Sequence, residues 1–209
     1  MPHKERFLIP ILMSLVILPM IATDIYLPAM SDMGFQLGAI GSDVTNTLTS
    51  YMLGYSLSLL LAGILADIYG RRIICIAGLS VFCVASAGCY FASTIEQLIA
   101  FRFFQALGGG CGTLLARVIV RDLYDQQSQV RVLSYLAAGM VVSPILGPSL
   151  GAYITSYFDW RVIFLVLAVF SFLALIFLYI FMRESFANHE DREPFWVRDV
   201  ISQYSYLLG

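Results

Sequence analysis

Apolar residues run in six long blocks, at 7–29, 44–66, 73–92, 98–120, 132–157 and 162–182, with short polar or turn-forming clusters between them. Each block holds the ~20 apolar residues that a helix needs to cross a bilayer core, and the connections are too short for anything but antiparallel neighbours. The pattern predicts an all-α integral membrane protein of six transmembrane helices. The first block carries Asp24, has no small-residue cleavage site and is followed by further spans, so it reads as a retained helix rather than a signal peptide. Residues 1–184 form the expected bundle. Residues 185–209 form a polar linker in which Pro194 opens a segment with Trp196, Val200, Ile201, Tyr204 and Leu208 at helical spacing, an expected amphipathic interfacial helix.

Composition agrees with this class. Of 209 residues 59% are hydrophobic and only 12% charged, about half the charged share of a soluble domain. The net charge of -2 gives no basic footprint for nucleic acid. Basic residues fall on alternate connections, Lys4 and Arg6, Arg71 and Arg72, Arg121 and Arg131, then Arg183, which puts those connections and both termini on the cytoplasmic side. Asp32, Asp43, Glu96 and Asp159 fall on the other side, with Arg161 as the basic exception. The four cysteines lack metal-ligand spacing, and the two histidines lie in polar flanks, so neither a zinc site nor a nucleophile with a histidine base is expected.

Two charges fall inside the apolar blocks. An ionisable side chain in hydrocarbon costs on the order of 3 kcal/mol on insertion scales, so Asp24 and Arg102 call for a reason. Both lie a similar depth from the outer end of their spans, so an ion pair between them is geometrically plausible. Such a carboxyl can be ionised when paired and protonated when the arginine withdraws, which is the behaviour proton coupling requires; a static packing pair is the alternative. Asp24 ends a stripe of Met13, Val16 and Met20 along one helix face, an adaptable surface for an apolar ligand or for a neighbouring helix. Tyr51, Tyr55 and Gln105 complete the candidate cavity. Pro10, Pro19 and Pro28 are expected to bend the first span.

Gly63-Ile64-Leu65-Ala66-Asp67-Ile68-Tyr69-Gly70-Arg71-Arg72 resembles motif A of the major facilitator superfamily, with Ile68 where the family usually has arginine. Arg102-Phe103-Phe104-Gln105-Ala106-Leu107-Gly108 looks like the family's motif B. Gly147-Pro148-Ser149-Leu150-Gly151 resembles its antiporter motif, with Ser134 and Ser143 where the longer pattern prefers glycine and Ala152 for its last glycine. Thr23-Asp24-Ile25-Tyr26-Leu27-Pro28-Ala29, Gln105-Ala106-Leu107-Gly108-Gly109-Gly110 and Ala116-Arg117-Val118-Ile119-Val120-Arg121-Asp122-Leu123-Tyr124 together resemble the bicyclomycin and chloramphenicol resistance branch of drug:proton antiporters, as does Asp159-Trp160-Arg161.

That resemblance implies the 3+3 inverted-repeat half of the facilitator fold, multidrug efflux with the proton as coupling ion and no other cofactor, and a bacterial inner membrane. By position it assigns proton coupling to Asp24 and Arg102. The cytoplasmic gate falls to Gly63, Asp67, Gly70, Arg71, Arg72 and Asp122, and the antiporter motif to Gly147, Pro148 and Gly151. The family's members have two six-span halves, so this chain is expected to need a carboxy-terminal half or a second copy to close a cavity around a small drug-like substrate. The rivals are a non-transporting fragment or interaction partner, a facilitator of another small solute, and a membrane-embedded enzyme.

Overall fold

The structure is a computed structural model that describes residues 5–39 and 41–182. The elements run α1 Glu5–Asp24, a 3-10 turn Leu27–Ala29, α2 Met30–Gln36, α3 Gly41–Tyr69, α4 Arg71–Phe91, α5 Ile95–Leu123, α6 Gln126–Tyr157 and α7 Arg161–Phe181. Six helical stretches are long and apolar enough to span a membrane, the first comprising α1, the turn and α2. The six expected spans are therefore present. Lys4, Arg183 and the expected linker helix within 185–209 lie outside the described residues.

The first span is interrupted rather than merely bent. Pro10 and Pro19 sit inside α1, yet the helix ends at Asp24. The cause is Pro28: it lacks the N–H that Asp24's carbonyl would accept four residues on, and it disfavours helical geometry in the residue before it. The chain resumes as the Leu27–Ala29 turn and the short α2.

Helix α5 is the centre of the bundle. It packs chiefly against α3 and α4 and also against α1, while α4 also packs on α7 and α1 on α6. Association in lipid relies on close van der Waals fit, which small residues permit. A methyl group on Gly108 would strike the α4 backbone at Gly78 and Phe82; one on Gly109 would fall 2.7 Å from Pro19 of α1, and one on Gly110 would fall 2.7 Å from Ser58 of α3. Three consecutive glycines thus seat α5 against three partners. On α3 the buried stripe is Thr47, Tyr51, Gly54, Ser58, Ala62 and Ala66, small or hydroxylated residues at helical spacing, while Leu53, Leu57 and Leu60 face outward.

Helix α6 docks on α1 through one narrow stripe, Val132, Leu136, Gly139, Ser143, Gly147 and Gly151. Its other face, with Val141, Ile145, Leu146 and Tyr153, is exposed. The Asp125 carboxylate caps α6 by accepting from the Gln127 and Ser128 N–H groups. Hydrogen bonds from Ser128 hold that carboxyl below its ordinary value of 3.8. The cap is therefore at full strength above about pH 3.8 and weakens only as the pH falls through the lower folded value.

Gly151 gives the sharpest test of the α1–α6 seam, because a side chain there would run into the Ile25 carbonyl. Gly151→Leu is expected to lose about 1–3 kcal/mol, as overpacked cores do. Ala152→Leu, on the exposed face, should stay within about 0.5 kcal/mol. Thermal unfolding of both variants in detergent micelles measures the difference.

Candidate functional site

Arg102 lies about two helical turns into α5 from its start at Ile95 and is wholly buried. One nitrogen, Nη1, donates to the Ala22 carbonyl of α1 at 3.0 Å and to Gln105 Oε1 at 2.9 Å. The guanidinium carbon lies 4.1 Å from the ring centre of Tyr51, 4.5 Å from that of Tyr26 and 5.8 Å from that of Phe164. A desolvated cation over an aromatic face gains roughly 0.5–2 kcal/mol per ring, so three rings and two hydrogen bonds offset an insertion cost near 3 kcal/mol. The rings are themselves anchored. Tyr51 donates its hydroxyl to the Pro19 carbonyl at 2.7 Å. Tyr26 bonds Thr47, whose own proton goes to the Val44 carbonyl, so the tyrosine is the donor. Behind the arginine, Gln105 Nε2 donates to Ser86 Oγ at 2.8 Å and Ser86 donates to the Phe82 carbonyl.

The ion pair that similar depth allows between Asp24 and Arg102 does not form. Asp24 Oδ2 accepts instead from the Ser143 hydroxyl of α6 at 2.7 Å. The reason is packing: a Cβ on Gly147 would lie 2.6 Å from Asp24 Cβ, so α6 presses on the end of α1 and takes the carboxyl to its own side. Gly147 and Gly151 of the antiporter motif therefore act where that carboxyl sits, and Pro148 lies between them on the same helix. Nε and Nη2 of Arg102 are buried without a hydrogen-bond partner among the described residues.

The candidate cavity residues divide. Met20, Asp24 and Tyr55 are half-buried, whereas Tyr51 and Gln105 are fully enclosed in the arginine cluster. The methionine stripe faces α6, where Gly139 makes room for Ile17 and Met13. Two surface cavities lie elsewhere. One of about 310 Å³ is bounded by Met30, Gly34, Phe35 and Val44, and one of about 180 Å³ between α3, α4 and α5 is bounded by Ser58, Leu65, Ile74 and Cys111.

At the α3–α4 turn the motif A charges do converge. A single residue, Gly70, joins the two helices at φ 96° and ψ 148°, a conformation essentially confined to glycine. That turn carries Arg71 to Asp122 at the end of α5, with Asp67 one helical turn away at 3.8 Å. Arg72 reaches the far end of α7, donating to the Tyr179 carbonyl at 2.9 Å and lying 5.6 Å from that ring's centre. Gly63 is less constrained, since a methyl there would make ordinary contact with Leu114 at 3.7 Å.

Sequence reading missed the partners that come from distant helices: Ser143 for Asp24, Tyr26 and Phe164 for Arg102, and Ser86 for Gln105. It also missed the outer clasp. Arg161 donates to Gln36 Oε1 at 3.1 Å and to the Ala92 carbonyl at 3.3 Å while lying over Trp160, and Trp160 Nε1 shares Gln36 at 3.0 Å. The basic exception on the outer side thus joins α2, α4 and α7. Its signal in the sequence was its breach of the charge rule.

Arg71 is mostly buried and its bond to Asp122 is closer than its contact with Asp67, so the two acids should not be equivalent. Asp122→Asn is expected to weaken local closure of the α3–α4 turn by about 0.5–1 kcal/mol, a two- to fivefold rise in amide exchange, with Asp67→Asn smaller. Hydrogen–deuterium exchange over residues 66–74 reads both.

The family profile described as Major Facilitator Superfamily matches residues 12–203. Multidrug resistance protein D of Escherichia coli is 34% identical over 162 residues, which are 78% of this chain and 41% of that protein. Multidrug resistance protein MdtL of Shigella dysenteriae is 32% identical over 181 residues, 87% of this chain and 46% of that protein. The chain spans less than half the length of either relative. Among solved structures, a D-xylose-proton symporter superposes with a TM-score of 0.76 at 14% identity, covering 98% of this chain and 52% of that one. The human organic anion transporter MFSD10 gives 0.71 at 18%, covering 97% and 53%. At such identities the superpositions establish the fold and nothing of the substrate. Six membrane-spanning helices, half-length superposition on facilitator structures and a profile match over most of its residues together make this chain a multi-pass membrane protein belonging to the major facilitator superfamily, among transporters rather than enzymes.

Proposed function

We propose that this chain supplies the amino-terminal half of a proton-coupled efflux transporter for small drug-like molecules in a bacterial inner membrane, with both termini cytoplasmic. The observation that carries the reading is a divided charge pair. Arg102 is held deep in the bundle with no acid paired to it among the described residues, and Asp24, two residues beyond the carbonyl that Arg102 binds, is held by a different helix. A carboxyl that can exchange a neutral partner for a cation takes up and releases a proton as the helices shift. The names of the multidrug resistance relatives support the drug as cargo.

In this reading Met20 and Tyr55 face the drug path, while Tyr51 and Gln105 serve the arginine rather than the cargo. The α3–α4 turn, with Asp67, Arg71, Arg72 and Asp122, latches the cytoplasmic helix ends and is released when that side opens. A second six-helix half, or a second copy, closes the cavity against the exposed faces of α3 and α6. A loose apolar surface with few fixed polar groups selects by size and apolarity more than by identity, which suits several drugs.

The test is drug transport driven by an imposed pH gradient in liposomes. The chain is reconstituted alone and joined to a carboxy-terminal six-helix half from a relative. Gradient-dependent transport by either form is the expected result, and failure of both in folded protein would remove the reading. In the active form Asp24→Asn should abolish drug-driven proton release with the fold intact. Arg102→Lys should fail as well, because an ammonium on a flexible stem reproduces neither the planar stacking between Tyr26 and Tyr51 nor the guanidinium fork.

A further inference from the structure

We infer that Ser143 is a positioning residue that parks the Asp24 carboxyl on the α6 side of α1, and that its release lets Asp24 turn to the free edge of the Arg102 guanidinium. The inference rests on the reading of Asp24 and Arg102 as the coupling pair and adds the element that keeps them apart.

Four observations converge on it. The Ser143 hydroxyl is the hydrogen-bond donor that the structure gives Asp24, at 2.7 Å, and Ser143 is buried. Arg102 spends both protons of Nη1 on Ala22 and Gln105, which leaves Nε and Nη2. That is the edge of the fork able to take a carboxylate bidentately. An unpaired donor in a buried site carries a desolvation penalty, so a carboxylate arriving there relieves that penalty as well as forming a charge pair. Finally, Asp24 is the last residue of α1, and Pro28 offers no N–H to its carbonyl, so the α-helical hydrogen-bond ladder stops there before the 3-10 turn begins.

The lever is α6. Gly147 and Gly151 bring that helix against Asp24 and Ile25, so any displacement of α6 from α1 acts first on the Ser143 bond. Ser143 stands where the antiporter pattern prefers glycine, which has no hydroxyl to offer. The parking bond is thus a property of this chain's own sequence.

A hydrophobic carbodiimide reports the carboxyl's position without requiring transport, since it modifies protonated carboxyls and spares those paired with a guanidinium. The 209-residue chain is reconstituted in liposomes, and adduct formation at Asp24 is quantified by mass spectrometry at one fixed pH. Ser143→Ala should lower Asp24 labelling about tenfold or more as the carboxyl goes to Arg102. Ser143→Thr, which keeps the hydroxyl, should label as the unaltered chain does, and the double variant Ser143→Ala with Arg102→Gln should recover labelling. Unchanged labelling in Ser143→Ala overturns the proposal, and so does a loss that Ser143→Thr fails to restore. If the arginine variant does not fold, infrared spectra of isotope-labelled aspartate decide: in Ser143→Ala the Asp24 band, identified by its absence in Asp24→Asn, must shift as its partner changes from a hydroxyl to a guanidinium. A band that stays in place overturns the proposal as well. A null result in these experiments removes the role of Ser143 alone, because proton-coupled transport is decided separately by the gradient assay.

Discussion

A guanidinium buried in the middle of a membrane bundle has to be satisfied from several directions, and the interior of this protein is arranged around that demand. Arg102 draws a backbone carbonyl from α1, an amide from its own helix and ring faces from α3, α7 and the turn after α1. Each of those partners is anchored in turn by a buried hydrogen bond or by packing. The cluster joins elements that lie far apart in sequence, so removing the cation would loosen contacts among four helices at once. The same demand is incompletely met at one edge of the fork, where Nε and Nη2 have no hydrogen-bond partner among the described residues.

Close approach is the second constraint, and glycine supplies it in two places. On α5 the run Gly108-Gly109-Gly110 seats the helix against α4, α1 and α3, which fixes the depth at which Arg102 enters the bundle. On α6, Gly139, Gly147 and Gly151 lay one narrow stripe along α1. The two seams differ in character. Helix α5 is buried along most of its length, whereas α6 touches the rest through a single stripe and exposes its opposite face. A helix held along one stripe would lose less contact on shifting than one enclosed on three sides.

The two membrane faces are tied by different chemistry. On the α3–α4 side, opposite charges at helix ends meet across Gly70, in contacts that are partly exposed and hence easily exchanged. On the outer side, Arg161, Trp160 and Gln36 form hydrogen bonds and a stacked contact around a buried indole, an arrangement closer to a core than to a latch.

Much was legible from residues alone. Six apolar blocks pointed to six spans because lipid leaves a backbone no choice but helix, and the alternation of arginines gave their expected sense. Asp24 and Arg102 stood out because charge in hydrocarbon is costly wherever the helices go, and the turn at Gly70 was legible because only glycine fits it. The partners were not. Equal depth in two spans made an Asp24–Arg102 pair reasonable, but depth says nothing about which way a side chain faces around its helix axis. That rotation is set by which neighbour can come closest, here α6 through Gly147, and closeness depends on small residues in a helix more than a hundred positions away. Sequence determined where the chain crosses the membrane and which charges it must accommodate there; only the packed bundle decided that Ser143 holds the acid and aromatic rings hold the base.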